Sequence, residues 1–372
     1  MKIMSIGGAR PQFVKMAMMF HGIEAYKARN HCSIDHAILH TGQHYDPLMS
    51  DIFFEELGLA MPHPIIGTSS GTPGVQTAAM LASIEVELMR ETPDLVLIYG
   101  DTNSTLAAAL AASKLHIPLV HIEAGLRSFN REMQEEINRI VSDHVSDLLL
   151  APTAASMEQL RVEGLSGRAA LVGDLMLDAV AHYTSSDRTS AVLDKQGLVG
   201  KSYALVTMHR AENTDSFKRL TAILSSLAKF PIPIVLPLHP RLSRLLGVEG
   251  RRMLASHDHI HLVEPVGYLE MLVLEQRADV IVTDSGGMQK EAYFLGTPCV
   301  TLRDETEWTE TLHDDWNVLA GSESETILRA VRHALERSSR AVEQPRNLAA
   351  FGGGQAAAHC IDEIMKFMEK KK

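Results

Sequence analysis

The stretch HIEAGLRSFNREMQEEINR, residues 121–139, sets four glutamates and three arginines directly after an apolar run, PLVHIEA from Pro118. A strand end that needed only a loop would use Gly, Asn or Ser. Glu123 stands at the mouth of that strand, and Glu135, Glu136 and Arg139 fall on the helix that follows. Glu136 reads as a solvated helix residue. Asp101, in GDTNSTLA, stands at another strand mouth. There it fits a helix cap as well as a chemical role. Carboxylates clustered in a closed site push their pKa values apart, so that one holds a proton while another accepts one.

Two glycine-rich turns point to anion binding. GGARPQFVK, residues 7–15, follows an apolar run, and Pro11 suits the first turn of a helix whose N-terminal amides are unpaired. Arg10 and Lys15 add positive charge beside it, which favours a phosphate over a plain glycine turn. VTDSGGMQKEA, residues 282–292, is the stronger signal: Ser285, Gly286 and Gly287 offer a hydroxyl and bare amides at a helix start. Glu291, one turn on, suits a pair of ribose hydroxyls. MHRAEN and PLHPR place His209, Arg210, His239 and Arg241 at further strand ends, where any one histidine taken alone is more readily structural.

Three other patterns fail on chemistry. GLVGKS ends like a Walker loop, but Lys195 occupies the position where glycine is required. No GxGxxG follows a strand, so no nicotinamide cofactor is expected. His257, His259 and His261 alternate without a completing cysteine or carboxylate, so no metal site is expected.

These residues need a scaffold that presents strand ends side by side. Strand-length apolar runs alternate with helical patterns: KIMSIG, DHAILHTG, DLVLIYGD, PLVHIEA, DLLLAPT and AALVGD. After a polar stretch, residues 184–202, the pattern restarts with SYALVTMHR, IPIVLPLHP, HIHLVEPV, ADVIVTDSGG and PCVTLRDE. Continuously apolar strands between helices mean parallel sheets covered on both faces. The fold class is therefore α/β, with two Rossmann-like doubly wound domains in tandem, and ligands are expected at the carboxyl ends of the strands, in the cleft between domains. A length of 372 residues with 45% apolar and 22% charged residues fits two globular domains. No run approaches the roughly 18 apolar residues of a membrane span, and MKIMSIGGARP enters a strand at once, without a secretion signal. The expectation is a soluble cytoplasmic protein. Three scattered cysteines make no disulfide framework, and a net charge of −11 argues against nucleic-acid or anionic-membrane partners.

As an ordered set, GARPQFVK, GDTNSTLA, HIEAGLRS, EEINR, VTMHRAEN, TDSGGMQKEA and LRDETEW resembles the non-hydrolysing UDP-N-acetylglucosamine 2-epimerases over nearly the whole chain. The resemblance implies a glycosyltransferase-B type fold. Its domains would be residues 1–172, with a terminal helix 353–372 packing back on them, and a UDP-binding domain 173–352. It implies conversion of UDP-GlcNAc to UDP-ManNAc through a glycal, for surface polysaccharide precursors, with no cofactor or metal and a homodimer as the assembly. By motif, Asp101, Glu123, Glu135 and His209 would be catalytic. Arg10, Lys15, Arg210, His239, Ser285, Gly286 and Gly287 would hold the diphosphate and Glu291 the ribose, with Arg139 either orienting a carboxylate or gripping phosphate. HTGQHYDPLMSDIFFEELG and LRDETEWTE are similar to a branch acting on UDP-2,3-diacetamido-2,3-dideoxyglucuronate, which stands as the alternative. Gln134 and Trp308 stand where the GlcNAc enzymes usually have proline and arginine. A glycosyltransferase of the same fold, or a UDP-sugar sensor, would not need carboxylates at all three positions.

Many bacterial GlcNAc epimerases bind a second UDP-GlcNAc as activator, through a segment like QHRQ and an arginine–glutamine pair. Here the first reads QHYD, with Gln43, His44 and then Asp46 in place of an amide, and the second keeps Gln76 without the arginine. Added negative charge and a lost bidentate donor weaken binding of a diphosphate. The reverse reaction from UDP-ManNAc should therefore start without delay; a long lag abolished by trace UDP-GlcNAc would overturn this.

Overall fold

The computed structural model describes residues 1–43, 54–59, 71–184, 193–194, 197–338 and 346–371. His44, Asp46, Lys195 and most of the polar stretch 184–202 lie outside them. Two compact units form, Met1–Ala179 with Leu348–Lys372, and Val180–Asn347.

In the first unit strands and helices alternate: β1 Lys2–Gly7, α1 Arg10–Asn30, β2 Asp35–His40, α2 Pro73–Glu91, β3 Leu95–Tyr99, α3 Asn103–Lys114, β4 Leu119–Ile122, α4 Gln134–Val145, β5 Leu148–Ala151, α5 Ala154–Val162 and β6 Ala169–Leu171, followed by α6 Leu175–Thr184, whose residues from Val180 on belong to the second unit. The sheet is parallel throughout, in the order β2-β1-β3-β4-β5-β6. Its strands are apolar on both faces because helices cover both; every residue of LVLIY in β3 is buried. Met4, Ile6, Val96 and Ile98 pack with Met80, Ile84 and Leu88 of α2 and with Ala107, Ala108 and Ala111 of α3. The run of alanines keeps α3 slim, so it lies close on the sheet.

The second unit repeats the plan: β7 Ala204–Thr207, α7 Ala211–Thr214, α8 Phe217–Leu227, β8 Ile234–Pro237, α9 Pro240–Ala255, β9 Ile260–Val263, α10 Tyr268–Arg277, β10 Val280–Thr283, α11 Gly286–Leu295, β11 Cys299–Thr301, β12 Asn317–Leu319 and α12 Ser324–Ser338. Its parallel order is β12-β11-β10-β7-β8-β9. Every strand read from sequence forms, and β12 is an addition. Three residues, NVL, after the acidic His313–Asp315 segment give too short an apolar run to stand out.

The chain ends in α13, Ala356–Lys371, which packs on α1 within the first unit. The contact is close because Gly22 has no side chain: a Cβ there would lie 2.8 Å from Ile361 Cδ1. Asp178 of α6 caps α13, accepting the Ala356 amide at 3.0 Å and that of Ala357 at 2.8 Å. A carboxylate at a helix N-terminus meets both orphan amides and the positive end of the helix dipole.

Each sheet has one point where the chain reverses its direction of growth, between β1 and β3 in the first and between β7 and β10 in the second. Loops leaving these strands diverge, which opens the crevice where doubly wound folds bind ligands. Asp101 follows β3, and Ser285 follows β10.

Candidate active site

In the first unit Asp101 and Glu123 leave neighbouring strands, since β3 pairs with β4. The Lys15 ammonium, from α1, is ion-paired with Glu123 Oε2, and both side chains are nearly buried. Glu123 sits at φ 72°, in the left-handed region, which costs a non-glycine residue roughly 1–2 kcal/mol. Its amide and that of Ala124 both donate to the Leu150 carbonyl at 3.0 Å, holding the turn. Gly100, at φ 60°, leaves the room: a Cβ there would lie 3.0 Å from Glu123 Oε2.

Asp101 does not cap α3. Thr102 does, accepting the Thr105 amide, so the Asp101 carboxylate is left for Arg139, whose Nε donates to Oδ2 at 3.1 Å and whose Nη2 donates to the same oxygen. Arg139 also donates from Nη1 to Glu136 at 2.8 Å, and Asn138 donates to the Asp101 carbonyl at 2.9 Å. Glu136 is 1% exposed, which corrects its reading as a solvated residue. It accepts the amides of Ser128 and Phe129, both at 2.9 Å, because that loop has no strand partner for them. Glu135 lies half-buried in the first turn of α4.

Arg10 opens α1, half-buried. The helix start is less open to an anion than its sequence implies, since Gln12 Oε1 accepts the Gly8 and Ala9 amides at 2.9 and 3.0 Å. Gln12 Nε2 then donates to the Tyr99 carbonyl at 2.8 Å, fastening α1 to the end of β3.

In the second unit the organiser is Asp284, at the end of β10. It accepts the His209 and Arg210 amides at 3.0 Å, and His209 Nδ1 lies 3.2 Å away. Burial works to raise this carboxyl, but the hydrogen bond and charge of His209, with the two amides, outweigh it and hold Asp284 below the usual carboxylate range. The His209 and His239 rings lie 5.2 Å apart, and Arg241 is bound to Asp215 at 2.6 Å. Ser285 caps α11 by accepting the Met288 amide. Gly286 lies against Glu307, which is ion-paired with Arg303 at 2.8 Å and stands 4.0 Å from Arg210. Glu291 is buried with Tyr268, whose hydroxyl is pushed well up by burial and by the carboxylates of Glu291 and Glu275.

The sequence model of the family described as UDP-N-acetylglucosamine 2-epimerase matches residues 26–365. The chain belongs to this family. A UDP-N-acetylglucosamine 2-epimerase homolog of Methanococcus maripaludis is 47% identical over 336 residues, covering 89% of this chain and 92% of the relative. The UDP-2,3-diacetamido-2,3-dideoxy-D-glucuronate 2-epimerase of Pseudomonas aeruginosa is 44% identical over 98% of this chain and all of its own length (100%). A crystal structure of the Methanocaldococcus jannaschii UDP-GlcNAc 2-epimerase, in complex with UDP-GlcNAc and UDP, superposes with a TM-score of 0.89 at 39% identity, covering 98% of this chain and 100% of that one. The fold is accordingly of the glycosyltransferase-B type.

In this epimerase chain the groups that hold others in place leave little sign in the sequence: Glu136 is buried rather than solvated, and Gln12 and Asp284 stand within GGARPQFVK and VTDSGGMQKEA among more conspicuous neighbours. An acid inside TDSGG, flanked by glycines at a strand end, was the available sign for Asp284.

Asp284→Asn should destabilise the second unit by about 1–3 kcal/mol at neutral pH, the cost of a buried acceptor lost to several donors. Because the folded pKa lies below the unfolded one, near ~3.9, the contribution is present above that value. It is lost as pH falls through the folded pKa. Denaturant melts of wild type and variant should converge in acid; a gap that widened as pH fell would contradict the assignment.

Proposed function

We propose that this chain inverts C2 of a UDP-2-acetamido sugar, UDP-GlcNAc to UDP-ManNAc, by eliminating and re-adding UDP. The observation that carries the reading is the pair of strand-end carboxylates, Asp101 and Glu123, each with its own cation, Arg139 and Lys15. C2 bears an N-acetyl group and has no neighbouring carbonyl, so simple enolisation does not invert it. One carboxylate takes the C2 proton while the C1–O bond breaks and UDP leaves with the electron pair, giving a C1=C2 glycal. A second carboxyl then protonates the opposite face of C2 as the UDP oxygen bonds again to C1. Asp101, Glu123 and Glu135 are the proton-transfer groups. Arg139 and Lys15 orient two of them, in keeping with their contacts.

The departing diphosphate needs fixed positive groups, usually the largest catalytic term. His209, Arg210 and His239, with Ser285, Gly286 and Gly287 at the start of α11, supply them in the second unit, and Arg10 supplies one in the first. His209 also acts on the reacting diphosphate, its ring oriented by Asp284. Glu291 holds the ribose. Three free cysteines suit a reducing, cytoplasmic setting.

A second substrate has specific support: the P. aeruginosa relative matches at full length, and Trp308 stands where the GlcNAc branch has arginine. With either sugar, turnover in D2O should place solvent deuterium at C2 and leave no net UDP. Epimer formed without deuterium at C2 would sink the mechanism. Whichever UDP-sugar gives the higher kcat/KM fixes the branch.

We also assign a homodimer. Among the described residues of α2, Val75, Val86 and Met89 are each more than half exposed and, with exposed Ala78 and Ala82, form one apolar row at helical spacing. Sedimentation should give twice the 40.9 kDa chain mass; a monomer at micromolar concentration would refute it.

A further inference from the structure

His121, in β4, is fully buried, and both its ring nitrogens are engaged. Nε2 lies 2.7 Å from the Gly100 carbonyl and Nδ1 lies 2.7 Å from Asp143 Oδ1. A carbonyl only accepts, and so does an ionised carboxylate. Burial works to raise the Asp143 carboxyl, but the hydrogen bond and charge of His121, together with Arg127, overcome it and hold Asp143 below the ordinary range. Both imidazole nitrogens therefore face oxygen atoms at hydrogen-bond distance, and the ring is held from both sides. The other Asp143 oxygen accepts Arg127 Nη1 at 2.7 Å and the Gly125 amide at 3.1 Å. Arg127 in turn grips Glu163 with two bonds, at 2.8 and 2.7 Å. The chain His121, Asp143, Arg127, Glu163 is continuous, each member bonded to the next.

The two ends of the inner part of this network fall on the two catalytic turns. Gly100 immediately precedes Asp101, and Gly125 follows Glu123 by two residues. The His121–Asp143 pair is thus a single rigid strut between the turn that carries Asp101 and the turn that carries Glu123. The helix that supplies Asp143, α4, also supplies Arg139 to Asp101 and Asn138 to its carbonyl. Nothing else among the described contacts joins the Gly100 carbonyl to a side chain.

We propose that His121, with Asp143, is a positioning residue that fixes the separation and orientation of Asp101 and Glu123 across C2. The proposal rests on the epimerase reading above and adds to it a device for facial selectivity. Proton removal and return take place on opposite faces of one carbon, so the two carboxyl groups must hold a fixed spacing while the glycal waits. A misplacement of about 1 Å in such a pair costs on the order of 10²-fold in rate.

The test uses three variants of the full chain. In His121→Asn the amide keeps the Asp143 side of the strut and loses the Gly100 side. In His121→Gln the amide reaches the Gly100 carbonyl and loses Asp143. Asp143→Asn leaves the ring in place and removes its charged partner, and it serves if the His121 variants do not fold. Turnover of the UDP-sugar in D2O is followed together with UDP release and UDP affinity. The expected result is a fall in kcat of about 10–10²-fold with KM and UDP affinity unchanged. The substrate recovered should carry more C2 deuterium per epimer formed, and free UDP should accumulate as the glycal escapes. His121→Gln should retain more activity than His121→Asn. Unchanged kcat and unchanged partition in a folded variant would overturn the proposal, as would a loss explained wholly by the unfolded fraction. Wild type that exchanged no C2 hydrogen at all would instead bring down the epimerase reading, and the proposal with it.

Discussion

A carboxylate taken out of water has to find donors inside the protein, and this requirement shapes both sets of strand ends. Left unpaired, a buried charge costs several kcal/mol, so a folded chain must place cations, amides or hydroxyls around each one. Asp143, Glu136 and Asp284 are almost wholly buried, and each gathers its partners from more than one segment. Asp143 draws on β4 and the loop after it, Glu136 on the loop at Ser128–Phe129 and on Arg139, and Asp284 on the turn after β7 and on Asn213 of α7. Satisfying these three groups fixes where the loops run. The strand-end carboxylates Asp101 and Glu123 inherit their positions from the buried ones.

The same logic explains why α4 is polar on the face a helix would normally make apolar. Glu136, Asn138, Arg139, Ser142 and Asp143 are all buried there. A helix face of this kind contributes little through the hydrophobic effect and must instead be matched bond for bond. Its return is precision. Arg139 connects Asp101 to Glu136, and so to the loop that begins after the strained Glu123. The left-handed backbone at Glu123 is held by the Leu150 carbonyl, by the absence of a side chain at Gly100 and by the Lys15 ion pair. Local strain persists when its surroundings over-determine it, and here two contacts and the room left by Gly100 do so.

The strands were legible because a parallel sheet buried on both faces leaves continuous apolar runs, and the loops after them were legible because glycines, histidines and acids interrupt those runs abruptly. What stayed hidden were the partners. Lys15 read as a phosphate ligand because its neighbours in sequence are Arg10 and a glycine turn, whereas its neighbour in space, Glu123, is 108 residues away. Gln12 carried no signal, since a glutamine in the first turn of a helix is ordinary; only the fold brings the Tyr99 carbonyl to it. Glu136 looked solvated because paired glutamates on a charged helix usually are. Asp178, which caps the terminal helix, lies in an unremarkable apolar stretch, LMLDAV, and its partners arrive from the far end of the chain. Periodicity reports which face is buried, and it cannot report which distant segment covers it.

The departure at Trp308 acquires a physical meaning through its neighbour. Lys290 is 1% exposed and its ammonium stands 3.6 Å from the centre of the Trp308 ring. The indole face accepts a cation where an arginine would repel one. A lysine so deeply buried requires an electron-rich partner, so Lys290 and Trp308 constrain one another and are best regarded as one unit. That unit lies beside the start of α11: a Cβ on Gly286 would stand 3.5 Å from Trp308 Nε1 and 2.6 Å from Glu307 Oε1. Glu307 is in turn ion-paired with Arg303 at 2.8 Å. A flat ring at this position therefore shapes the wall beside the start of α11 without altering that helix's own amides. On the proposed reading, in which the diphosphate meets those amides, specificity between related sugars is expected in such a wall.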